Sequence, residues 1–144
     1  MVSAAYAAKL MADLGAEVIK VEPPGDGDPS RRRGPYPGGV PHPEKSGLFL
    51  YLNANKRGIT LDLRQPRGRE LLLALTAETD VLVHNFTPLE MEAGGLDFPA
   101  FAHRNPELVM VSITPFGLTG PHRDYQATDL TLWSAGGVSN LNGG

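Results

Sequence analysis

Four short apolar runs, "EVIKVE" (17–22), "ITLDL" (59–63), "DVLVHN" (80–85) and "LVMVSI" (108–113), are separated by stretches with helical periodicity. Strands that alternate with helices are joined by crossovers, which leads to a largely parallel sheet with helices on both faces. No other feature restricts the fold class of the 144 residues as strongly. The reading is therefore an α/β domain over 1–144, a mostly parallel sheet with helices on both faces.

Along the chain, Ala4 to Leu14 reads as a helix with Ala4, Ala8, Met11 and Leu14 on one stripe, and Gly15 as its left-handed stop. The first strand runs from Val18 to Glu22. Residues 23–43 follow, 21 residues of which 12 are proline or glycine. This segment is either a long ordered loop or a mobile flap. A short helix is expected around Leu48–Leu52, then a strand in "GITLDL" alternating Ile59, Leu61 and Leu63 with Thr60 and Asp62. Pro66 suits a first helical position ahead of the stripe Leu71, Leu72, Leu75. Strands are expected at 81–83 and 108–113, with short helices at 88–92 and 98–103 between them, the second capped by Asp97. Thr128 or Asp129 caps a last helix through Leu132 and Trp133 that stops at Gly136–Gly137. Trp133 is expected in the core.

The helix begins so close to Met1 that the strand usually preceding it has no room, so the domain is expected to be incomplete, with its first strand and C-terminal parts missing.

Composition excludes several classes. With no cysteine, disulfide staples, thiolate metal sites and thiol nucleophiles are ruled out in this chain. A net charge of −3 argues against nucleic-acid or anionic-membrane partners. No apolar run approaches the ~20 residues that span a bilayer. The N-terminus has no signal-peptide pattern. A cytoplasmic protein is expected. The four histidines show no metal-ligand spacing, and no G-x-S-x-G elbow or phosphate-loop motif occurs.

Ligands of open parallel sheets bind outside the carboxyl ends of the strands. Four places qualify: Glu22 with the loop after it, Arg64, Asn85–Phe86, and Thr114 to Pro121. Glu22 is either a solvated acid or a ribose ligand; the second reading needs a glycine-rich turn upstream that this chain does not contain. Arg31–Arg32–Arg33 is a positive patch suited to phosphates or simply solvated. Arg67 and Arg69 read as helix-surface residues. The role assigned to Asp129 is helix capping.

Taken together, "LMADLGAEVIKVEPPGDGDPSRR", "NANKRGITLDLRQPRGRELLLAL", "DVLVHNFTP" and "NPELVMVSITPFGLTGPHRD" resemble the N-terminal part of family III coenzyme A transferases. That superfamily includes formyl-CoA and carnitine CoA-transferases and α-methylacyl-CoA racemases. The resemblance implies that the Rossmann-like domain binds CoA. It places Leu61, Leu63 and Arg64 around the adenosine part and Asn85 and Phe86 beside the nucleotide and pantetheine, and makes Glu22 a conformational or loop-anchoring residue. No permanently bound cofactor is implied; CoA and acyl-CoA are substrates, alongside carboxylic acids. It further implies CoA exchange between an acyl-CoA and a carboxylic acid through an aspartyl anhydride and thioester, and a homodimer at full length. The nucleophilic aspartate is expected beyond Gly144. No catalytic residue is assigned within the chain, which by itself is expected to be an inactive fragment, poorly soluble when expressed alone.

Two basic positions of the family pattern "NFRPG" and its continuation are replaced by Thr87 and Ala93. The racemase histidine position is Thr128, whose hydroxyl cannot shuttle protons near neutral pH. The competing reading is a non-catalytic α/β nucleotide-binding or interaction module.

Overall fold

The computed structural model describes residues 2–142. Helix α1 (Ser3–Asp13) leads through Gly15, at φ +102°, into strand β1 (Val18–Glu22). Residues 23–43 contain two short 3₁₀ turns, Pro29–Arg32 and Pro37–Gly39. Helix α2 (Gly47–Asn53) and strand β2 (Lys56–Thr60) follow, then α3 (Pro66–Leu75) and β3 (Val81–His84). Helices α4 (Pro88–Gly94) and α5 (Phe98–Ala102) precede β4 (Val109–Ser112), and α6 (Asp129–Ala135) and α7 (Val138–Asn142) close the described chain.

Every strand pairing among the described residues is parallel, as the alternation of elements requires. β1 pairs with β2 from Val18↔Lys56 to Glu22↔Thr60, and β3 pairs with β4 from Val81↔Val109 to His84↔Ser112. The fold is α/β, but the described strands form two separate pairs instead of one continuous sheet. Helix α1 touches both β1 and β3.

The core lies around Leu72 of α3, Met91 of α4, Leu96, Phe101 of α5 and Leu108. Val21, Leu61, Leu63, Leu82 and Met110 pack against it. The turn after β2 and the strands β3 and β4 therefore share one apolar cluster.

Three local expectations are corrected. β2 ends at Thr60, not Leu63, because its partner β1 ends at Glu22, opposite Thr60; the last rung is Leu61 N–H to the Glu22 carbonyl, 3.0 Å. Leu61 and Leu63 alternate like strand residues but serve the core. Asp97 occupies the N-cap of α5 without a capping hydrogen bond, and Pro99 at the second helical position has no N–H to offer it. Trp133 is 53% exposed, since α6 buries no residue among those described.

Lys56 ties α1 to α2. Its Nζ donates to the carbonyls of Ala5 and Leu52, both at 2.7 Å, and to Asn53 Oδ1 at 3.2 Å.

Candidate functional site

The cleft at the carboxyl ends of β3 and β4

An open cleft of about 410 Å3 lies beyond the carboxyl ends of β3 and β4. Asn85, Thr87 and Leu89 form the wall after β3, and Ile113, Thr114 and Pro115 the wall after β4. Asp124 to Ala127 and Leu132 of α6 form the third side, with Ser3 of α1 at the rim. This is where a parallel sheet places its ligands. No lysine or arginine lines it among the described residues, so the cleft suits an uncharged chain of amides and methylenes better than a phosphate.

Two buried polar atoms in this region have no hydrogen-bond partner among the described residues: Thr114 Oγ1 and His84 Nδ1. An unsatisfied buried polar group costs on the order of 1–3 kcal/mol, which a ligand group bonded to it would offset. His84 is 6% exposed, and its Nε2 lies 2.6 Å from Ser112 Oγ. Burial holds its pKa below the ordinary value of 6.5, so the ring is neutral near pH 7.

Of the five residues assigned to CoA from sequence, Asn85 lines the cleft and the other four do not. Phe86 is 42% exposed, its ring stacked on His84 with centroids 6.2 Å apart. Leu61 and Leu63 are half-buried on the core. Arg64 is exposed and engages Asp62, with Nε to Oδ1 at 2.8 Å and Nη2 to Oδ2 at 3.0 Å. Such an exposed pair exchanges readily for an anionic ligand. Arg69, read from sequence as a surface residue, instead holds this turn: its Nη1 donates to the carbonyls of Leu63 (3.1 Å) and Arg64 (3.0 Å).

Thr87 caps α4 reciprocally with Glu90; Thr87 N–H to Glu90 Oε2 is 2.7 Å. Thr128 caps α6 through the N–H of Thr131 (3.3 Å), leaving Asp129 in the first turn and not at the cap. Tyr125 and Gln126 were not foreseen as cleft residues. Their position depends on how the turn after Pro121 folds back, and the only local sign is the aromatic cluster that Tyr125 makes with His122 and Phe116, at 4.8 and 6.1 Å.

The anchored loop

Glu22 is neither solvated nor free for a ribose. It is 8% exposed, receives Arg31 Nε (2.8 Å) and Nη2 (2.9 Å) in a bidentate pair, and accepts the Asp28 N–H at 2.8 Å. The Arg31 hydrogen bonds hold the Glu22 carboxyl below its ordinary pKa. Arg31 also reaches Glu44 at 2.9 Å and stacks 3.6 Å from the Phe49 ring centroid. The period of two along β1 puts Lys20 on the same face as Glu22. Its Nζ donates to Asp28 Oδ2 at 2.6 Å. Burial would raise Asp28, but the bonds from Lys20 and Ser30 leave it below the usual carboxylate range. A second cleft, of about 350 Å3, lies along the loop between Gly25–Asp26, Arg31–Arg32, Tyr36 and Pro41–Pro43.

Relationship to known proteins

The model of CoA-transferase family III matches residues 1–144. The chain belongs to CoA-transferase family III. Among its relatives, the succinyl-CoA:(R)-benzylsuccinate CoA-transferase subunit BbsE of Thauera aromatica is 43% identical over 138 residues, covering 91% of this chain and 33% of the relative. The succinyl-CoA–D-citramalate CoA-transferase of Chloroflexus aurantiacus is 38% identical over 141 residues, covering 96% and 33%. The crystal structure of a CAIB/BAIF family protein from Brucella suis superposes with a TM-score of 0.81 at 38% identity, covering 93% of this chain and 35% of that one. The chain spans about a third of the length of the curated family III relatives it matches.

Proposed function

We propose that this chain supplies the CoA-binding part of an enzyme that exchanges CoA between an acyl-CoA and a carboxylic acid. The observation that carries the reading is the cleft at the carboxyl ends of β3 and β4, walled by Asn85, in a chain matched throughout by the family III model.

In this reading the pantetheine arm lies in the cation-free cleft. The Asn85 amide can both donate to and accept from the arm's amides, and the Thr114 hydroxyl supplies a second polar contact. Leu89, Ile113 and Leu132 face its methylenes. Arg64 takes a CoA phosphate by exchanging its Asp62 partner, because guanidinium pairs strongly with phosphate oxygens. Leu61 and Leu63 fix the turn that carries it, and Phe86 stands beside the nucleotide. No group in the chain is assigned the nucleophilic step. That step, an aspartate attacking the thioester to form a mixed anhydride and release the CoA thiolate, is expected of a carboxylate beyond Gly144. Thr128 is committed to the α6 cap, which supports transfer over racemisation. Acyl-CoA and acid substrates, a cytoplasmic setting and a homodimer at full length belong to the same proposal.

The test is ligand protection against unfolding. CoA at a hundred times its Kd should stabilise the protein by about 2.7 kcal/mol, with NAD inert. Asn85→Ala and Arg64→Ala should each reduce that protection. Protection by NAD and none by CoA would refute the reading.

A further inference from the structure

We propose that His84 is a positioning residue of the cleft: by hydrogen bonding to Ser112 it clamps the carboxyl ends of β3 and β4 and sets the placement of Asn85 and Thr114. His84 and Ser112 are register partners and form the last rung of this strand pair. Beyond them a single backbone bond remains, Ile113 N–H to the His84 carbonyl at 2.9 Å. The next residue on each strand, Asn85 and Ile113, lines the cleft. Successive residues of a strand point to opposite faces, so the pair sits behind the wall that the ligand meets.

The end of a two-strand ladder is where parallel strands splay most easily, since the backbone bonds stop there. A 2.6 Å side-chain bond at this rung, with His84 buried, opposes that opening. The ring also stacks with Phe86, two residues further along, so the same side chain touches the chain on the far side of Asn85. An ordinary core position would be filled by a leucine or phenylalanine without leaving a ring nitrogen unpaired. Here Nδ1 is unpaired, and the residue serves through its other nitrogen. Ligand sites lose function when their supporting residues let them drift by about 0.5 Å, so a clamp one residue from Asn85 acts on ligand affinity directly.

This inference rests on the reading of the cleft as a CoA site. Its test is calorimetric titration of CoA into the protein at its full natural length, with the unfolding midpoint measured separately on each variant. Ser112→Ala should weaken CoA binding by about three- to tenfold, the loss of one hydrogen bond. Ser112→Thr, which keeps the hydroxyl, should restore it. His84→Phe keeps the ring and its stack on Phe86 but not the bond, and should match Ser112→Ala; it serves also if the alanine variant does not fold. Lower midpoints with unchanged CoA affinity would show a purely structural pair and overturn the inference, as would a loss that threonine does not restore. Wild-type protein that fails to bind CoA would sink the cleft reading and this inference together. CoA binding weakened by Asn85→Ala but untouched by Ser112→Ala and His84→Phe would sink this inference alone.

Discussion

The loop at 23–43 and the segment at 114–142 are held to the fold in opposite ways. More than half of the loop is proline or glycine, yet Glu22, Asp28, Arg31, Ser30 and Ser46 hold it in place. Ser30 and Ser46 are fully buried; Ser46 Oγ lies 2.7 Å from the Ser30 carbonyl and accepts the Phe49 N–H that starts α2. The later segment has regular local signals: a reciprocal cap at Thr128, an acid in the first turn and glycine after the last. Even so, Leu130 is 75% exposed, and neither it nor Trp133 is buried. Local propensity makes a helix, while burial of hydrogen-bonded and apolar groups fixes a segment in the fold. The difference also divides the functions: the anchored loop supports the first strand, whereas the less buried segment forms one side of the cleft.

The largest effect expected from this contrast comes from the ion pairs. Arg31→Met leaves Glu22 buried without its charge partner and should cost about 3 kcal/mol by urea denaturation. Arg123→Met breaks the solvent-exposed pairs of Arg123 with Glu92 (3.3 Å) and Asp124 (3.1 Å) and should leave the urea midpoint almost unmoved. Equal costs would erase the distinction between the two regions.

Acid sharpens it next. The folded pKa of Glu22 lies below its unfolded value of 4.5, so its contribution is complete above that value and disappears as pH falls through the folded one. His84 is also depressed, from 6.5, so the protein should begin to lose stability earlier, as pH drops below that value. Denaturation between about pH 7 and about pH 3 should therefore show two declines. Arg31→Met should flatten the lower and His84→Gln the upper. A single decline that ignores both substitutions would count against the buried network.

The smallest effect is at Thr128. Removing a cap costs a helix about 1 kcal/mol. Because α6 buries nothing among the described residues, Thr128→Ala should lower helical ellipticity slightly and leave the global unfolding midpoint unmoved. A midpoint drop comparable to that of Arg31→Met would mean that α6 belongs to the cooperative core.

Much of the architecture could be read from residue patterns. Pro66 at a first helical position, Gly15 as a stop and the apolar runs of β1, β3 and β4 each act within a few residues. The helical stripes were legible only in part: α1 buries Ala5 and Ala12 while Leu14, expected on its stripe, is 89% exposed, and of the α3 stripe Leu72 is buried but Leu71 is exposed. The parallel pairing followed from their alternation. What escaped depends on distant partners. Leu61 and Leu63 look like strand residues until the end of β1 removes their partner, and Arg69 looks like surface until the turn carbonyls of Leu63 and Arg64 come within its reach. At the site, Asn85 was found because strand ends are local, whereas Tyr125 and Gln126 reach the cleft only through the folding of a turn. Family resemblance gave Glu22 a conformational or loop-anchoring role, of which the structure shows the second; its partner Arg31, nine positions away, could not be singled out from its two arginine neighbours.

In the proposed function, the cleft beyond β3 and β4 receives CoA. The direct measurement is a crystal structure of the protein at its full natural length with CoA bound. The pantetheine arm should lie between Asn85 and Ile113–Thr114, with polar atoms of Asn85 and Thr114 in hydrogen-bond contact with it. CoA bound elsewhere on the domain, with this cleft open to solvent, would contradict it.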